Sequence, residues 1–173
     1  MSKKILLLGI SDEILVYLIK YFKLNNAEIY LVLSKEEAAP ILNEIEKDVV
    51  IVKIDNNLDQ IEVLLNSVEP DIIYNFYGSY NEKQYKLEDL IENSYLRTIL
   101  FLEALSHFKT LKFVNLINKE INIKDGSLFE CYKTIEKLII EKSHFYKDNY
   151  GIKVITKYRT GDIDEDFKGI LEI

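Results

Sequence analysis

Cysteine is almost absent from this chain: Cys131 is the only one in 173 residues. One thiol can build neither a disulfide framework nor a multi-thiolate metal site within the chain, and it fits a reducing, cytoplasmic setting. Histidine is nearly as scarce. His107 and His144 both fall in helical patterns, where surface positions are expected and metal ligation is not. No apolar run approaches the ~20 residues that span a bilayer, so no membrane association is expected. The opening Met1-Ser2-Lys3-Lys4 leads into a short apolar run and then to Asp12 and Glu13, a poor signal peptide. Basic charge is in short supply too. Lys and Arg number 22 against 29 Asp and Glu, a formal net charge of -7, which argues against a phosphate-tracking surface for nucleic acid.

What is present is an ordinary globular composition, 48% hydrophobic, in a length that suits one domain over residues 1–173 with a continuous core. Short apolar runs alternate with helical patterns from end to end. Strands are expected at Ile5–Leu8, Ile29–Leu33, Val49–Ile54, Ile72–Phe76, Phe113–Ile117 and Val154–Tyr158. Helices are expected after Ser11 and Asp12, near Pro40, over Leu58–Val68, over Leu87–Phe108 and over Phe129–Tyr146. Asp162 to Asp166 reads as a charged turn, and Gly169 to Ile173 as a short apolar tail. Strands without polar alternation are buried on both faces, and intervening helices make right-handed crossovers. The fold class is therefore α/β: a Rossmann-like, doubly wound parallel sheet of about six strands with helices on both faces.

Several local phrases carry a resemblance. These are Gly9-Ile10-Ser11 with Tyr17-Leu18, Asp55 after the third strand, and Pro70-Asp71-Ile72-Ile73-Tyr74-Asn75-Phe76. Asn93, Leu102-Glu103-Ala104, Glu136-Lys137-Leu138-Ile139, Tyr150-Gly151 and Arg159 follow in the same order. Together they resemble the extended short-chain dehydrogenases/reductases, the NAD-dependent epimerases and dehydratases of nucleotide sugars, with the GDP-mannose 4,6-dehydratases as the nearest branch. The resemblance spans essentially the whole chain. It implies that the chain ends about where that family's larger C-terminal substrate lobe begins.

The resemblance places a dinucleotide, NAD or NADP, over Gly9, Ile10, Ser11, Ser34, Asp55 and Tyr77. The same positions argue against one. The family's G-x-x-G-x-x-G turn has its first glycine at Gly9, but its second falls on Asp12 and its third on Leu15. Ser11, Asp12 and Glu13 instead make a helix cap that complements the macrodipole. Tyr77-Gly78 stands where the family has two small residues beneath the nicotinamide ribose, and Ser34 lacks the carboxylate expected for an NAD ribose, with Lys35 leaning toward a phosphate.

The family's Tyr-x-x-x-Lys pair is also missing. Aligned on Glu136-Lys137-Leu138, its positions fall on Leu128 and Tyr132, or one residue later on Phe129 and Lys133. Strand five ends in Asn115-Leu116-Ile117-Asn118 without the hydroxyl residues that orient substrate, and the connection from Asn118 to Ser127 is short. Tyr132, Lys133 and Glu136 could form a relocated proton-transfer group, but the plainer expectation is a helix surface with an i,i+4 pair. No catalytic residue and no metal site is assigned.

The expected function is a degenerate nucleotide-sugar epimerase/dehydratase-like domain, non-catalytic, acting as an interaction or regulatory module in surface-glycan biosynthesis. The alternatives are a divergent NAD(P)-dependent enzyme, or the scaffold half of a larger glycan-synthesis protein. A glycan-biosynthesis protein is one expected partner. A second copy of the chain is the other, because the family pairs the helices after strands four and five across a two-fold axis. Here helices 87–108 and 129–146 carry more apolar residues than one sheet-facing stripe requires, with Leu100 and Ile139 among the expected outward positions.

Overall fold

Strand segments this apolar must be covered on both sides, and that requirement fixes the architecture. The computed structural model describes residues 2–9, 13–34, 45, 47–76, 87–108, 111–119 and 126–172. Within them lie six strands: β1 (Lys4–Leu8), β2 (Glu28–Ser34), β3 (Val50–Ile54), β4 (Ile72–Asn75), β5 (Lys112–Asn118) and β6 (Lys153–Arg159). They form one open sheet in the order β3-β2-β1-β4-β5-β6, every neighbouring pair parallel. This is the doubly wound order, with its switch point between β1 and β4.

Side chains alternate across the sheet and so feed two cores. Ile5, Leu7, Leu31, Tyr74 and Leu116 pack on one face with α1 (Glu13–Leu24) and, from the C-terminal end, Ile170. Leu6, Leu8, Ile73 and Phe113 pack on the other with α2 (Leu58–Val68) and the two long helices. α2 starts where the Asn57 side chain accepts the Gln60 N–H at 3.0 Å. It stops at Glu69, left-handed at φ 50, one residue before Pro70. The expected helix near Pro40 lies outside the described residues, apart from the buried Ile45.

The helix expected over 87–108 occupies 87–105 and is not uniform. α3 opens as α-helix at Leu87–Asp89, widens to a π-helix over Leu90–Leu96 and resumes as α-helix at Arg97–Leu105. Two side chains account for the widening by claiming carbonyls of this stretch: Asn56 Nδ2 donates to the Glu92 carbonyl at 2.9 Å, and Thr98 Oγ1 to that of Ser94 at 2.6 Å. α4 runs over Gly126–Tyr150, longer than expected at both ends. The charged stretch after β6 is not a turn. Asp162 caps a helix, α5 (Ile163–Leu171), by accepting the Glu165 N–H at 2.9 Å. Asp166, read as part of that turn, is buried, accepts the Thr160 N–H at 2.7 Å and lies 3.4 Å from Arg159 Nε.

Two buried phenols are expected to weaken the fold at alkaline pH. Burial, then the charge of Tyr21, pushes Tyr74 up to about 12. Burial, a hydrogen bond to Glu103 and the charges of Glu103, Tyr150 and Tyr95 hold Tyr146 further above the ordinary phenol range. A folded-state pKa above the unfolded value of ~10 contributes stability that is whole below pH ~10 and lost as pH rises through the folded values. Urea midpoints are expected to fall from about pH 10 upward, and Tyr146→Phe is expected to flatten that fall. An unchanged slope in the variant would refute the assignment to Tyr146.

Candidate functional site

An open parallel sheet offers its ligand crevice outside the carboxyl ends of its strands, beside the switch point. Here β1 ends at that place in Gly9, buried, with φ +79. This left-handed backbone suits glycine. The Gly9 N–H donates to the Val32 carbonyl and the Phe76 N–H to the Leu8 carbonyl, both at 2.9 Å, so the ends of β2, β1 and β4 are locked side by side. Ser34 closes β2 opposite Ile54, which puts it next to Asp55 along the same edge. Asp55 is half-buried and donates its N–H to Gln60 Oε1 at 3.1 Å. Gly9, Ser34 and Asp55 are thus brought to one edge of the sheet. Ile10, Ser11, Asp12 and Tyr77 lie outside the described residues.

Measured against a dinucleotide, Gly9 fits, while Glu13 and Leu15 do not. Leu15, at the third glycine position, is fully buried in the α1 core. Glu13 is exposed in the first turn of α1, where a diphosphate would have to sit.

The helix on which the resemblance would place the tyrosine and lysine, α4, departs further. Tyr132 is not on a helix surface: it is 3% exposed and packs with Leu90, Ile135 and Ile139 between α3 and α4. The ion pair is not i,i+4 through Tyr132 but i,i+3, with Lys133 Nζ 2.8 Å from Glu136 Oε2. The Glu136 side chain is only 11% exposed. It shares a helix face with Ser143, seven residues on, which bonds Asn115 in β5, so this carboxylate lies on the sheet side of α4. Lys133 Nζ is also 5.9 Å from the Tyr132 ring centroid. That ammonium is itself paired to the Glu136 carboxylate. Leu128 and Phe129 are half-buried and bring no acid or base.

Two features had no role assigned from sequence. Asn75 Nδ2 donates to Thr98 Oγ1 at 2.9 Å and to Asn115 Oδ1 at 3.0 Å, and Asn115 Nδ2 donates to Ser143 Oγ at 2.7 Å. All four are buried, so this polar chain ties β4 and β5 to α3 and α4. Arg97, 2% exposed, donates from Nε to Asn56 Oδ1 at 2.6 Å and joins α3 to the turn after β3. The available signal was polarity inside apolar runs, as at Asn75 in Ile72–Phe76 and Asn115 in Phe113–Ile117.

No protein-family model matches the sequence, and no curated protein matches it. Solved structures do. The UDP-glucose 4-epimerase of Thermotoga maritima, with UDP-glucose, superposes at TM-score 0.68 and 12% identity over 88% of this chain and 54% of its own. The dTDP-glucose 4,6-dehydratase of Bacillus anthracis, with NAD, superposes at TM-score 0.67 and 14% identity over 91% and 54%. The fold is that of the NAD-dependent epimerases and dehydratases. The chain spans about half the length of these two epimerase/dehydratase structures. A short-chain alcohol dehydrogenase from Burkholderia multivorans, described as putative, matches over 99% of this chain and 90% of its own at TM-score 0.65 and 14% identity. Among the described residues no helix is long and apolar enough to cross a membrane, and no cluster of three or more His, Cys, Asp or Glu could hold a metal ion.

Proposed function

We propose that this chain is a non-catalytic relative of the nucleotide-sugar epimerases and dehydratases, serving as an interaction or regulatory module in sugar-nucleotide or surface-glycan biosynthesis. The observation that carries this reading is the state of α4: a buried Tyr132 beside a Lys133 already paired to Glu136 at 2.8 Å. A covered phenol beside an ammonium that is already paired to a carboxylate is poorly placed to exchange protons with a bound substrate. The acidic start of α1 points the same way. Asp12 and Glu13 would each oppose a diphosphate by about 1 kcal/mol or more at intermediate dielectric.

Calorimetry against NAD, NADP, UDP-glucose and dTDP-glucose tests this reading. No dinucleotide binding tighter than about millimolar is expected, since each 1.4 kcal/mol lost weakens a complex tenfold. Asp12→Gly with Tyr77→Ala is expected to tighten binding; Leu15 is left alone because it fills the core. A micromolar isotherm for the unaltered chain would favour the second reading, a divergent NAD(P)-dependent enzyme. That reading draws its support from the left-handed φ of Gly9 at the end of β1. The proposed module also pairs with a second copy through α3 and α4.

A further inference from the structure

We propose that α3 has two registers, the π-helical one described above and an all-α one, and that the Asn56 amide selects between them. The inference stands apart from the functional reading. In a widened turn the i→i+5 spacing carries one residue more than the i→i+4 spacing of an α-helix. Glu92 and Arg97 stand at that i→i+5 spacing where the π stretch ends. Asn56 holds both of them with one amide. Its Nδ2 donates to the Glu92 carbonyl at 2.9 Å, and its Oδ1 accepts from Arg97 Nε at 2.6 Å. A guanidinium only donates, so Arg97 also fixes which way the amide faces.

The sequence suits either register. From Arg97 onward α3 is anchored: Arg97, Thr98, Phe101 and Leu102 are buried, and Thr98 Oγ1 accepts from Asn75 at 2.9 Å. Within the π stretch only Leu90 and Ser94 are buried. Closing the wide turn therefore moves the amino-terminal part of α3, by one residue's worth of helix, about 100° and 1.5 Å. Each place there passes to the next residue along the chain. Leu90, 1% exposed in the cluster with Tyr132, Ile135 and Ile139, yields to Ile91, which is equally apolar and 46% exposed in the π register. Leu87 yields to Glu88 and Ile91 to Glu92, all at exposed places, so these exchanges bury no charge.

Asn56 lies in the turn after β3, next to Asp55 at the crevice edge, so the clamp ties that edge to the outward side of α3. The step puts Glu92 where Ile91 stood. Release of a copy paired there would follow, an outcome that rests on the α3–α4 pairing and that the test does not use. Nuclear magnetic resonance on the methyl-labelled full chain, with Leu138→Glu to keep copies apart, reads the register. With Asn56 in place, the Leu90 methyl groups are expected to contact the Tyr132 ring. Asn56→Asp keeps the size and an acceptor for Arg97 but cannot donate to the Glu92 carbonyl, and Asn56→Ala loses both contacts. In both variants the Ile91 methyl groups are expected to replace those of Leu90. The hydrogen-bond coupling of the Arg97 N–H is expected to move from the Glu92 carbonyl to that of Asn93. Leu90 contacts that persist in both variants, loss of Leu90 and Ile91 contacts alike, or Ile91 contacts with Asn56 in place would each overturn the proposal.

Discussion

Replacing Asn115 with Leu is expected to cost about 2–5 kcal/mol and to lower the melting temperature by roughly 5–15 °C. The side chain sits at the centre of the buried chain, accepting from Asn75 and donating to Ser143. Leucine keeps its branched shape but is larger, and it leaves two buried polar groups with one partner fewer at about 1–3 kcal/mol each. Ser143→Ala strands only the Asn115 amide and is expected to cost less. The two changes share one bond, so the double variant should fall short of their sum by about 0.5–3 kcal/mol in urea denaturation. Strict additivity would mean that the two side chains do not act as a unit.

Ile91→Glu with Leu138→Glu is expected to abolish self-association through α3 and α4. Ile91, Leu138 and Phe145 are 46%, 36% and 47% exposed, on the side of these helices turned away from the sheet. Burying about 800 Å² per subunit would suffice for a stable pair. Ile139, an expected outward position, is the wrong probe: it is 1% exposed and packs against Leu90 and Ile135. Leu100 is half-buried against the core of the sheet. Light scattering at micromolar concentration checks the outcome. If this face pairs copies, the variant loses that mass; if the mass is the same with and without the two glutamates, the face is not an interface.

The strands were legible because each is apolar on both sides, and only a covered parallel sheet explains that pattern. Helix faces were harder to read. α4 touches both the sheet and α3, so its buried arc is wider than one stripe, and part of the apolar excess that suggested a partner copy is used within the chain by Ile135 and Ile139. α5 was missed because its acidic start looks solvated, whereas Asp166 is an internal acceptor for Thr160 and Gly161. The π-helical stretch depends on Asn56, more than thirty residues away from Glu92, which no local pattern reveals. At the candidate site Gly9 was legible from its place after a strand. The Lys133–Glu136 pair was not, since i,i+3 and i,i+4 partners compete on one helix and side-chain packing decides between them.

The strand order also dictates how the sheet can be assembled during synthesis. β1, β2 and β3 join one after another in a single direction, each added to an edge just formed. β4 then has to cross to the vacant side of β1, pairing Leu8 with Asn75 across nearly the whole first half of the chain. Loop closure over that separation is the slowest kind of step in a parallel sheet. Until it is made, β1 has its β4-facing edge open and the second core lacks Ile73 and Phe113. Once it is made, β5 and β6 extend the sheet outward in order of synthesis. Of the sheet's pairings, β1 with β4 joins the segments furthest apart in sequence.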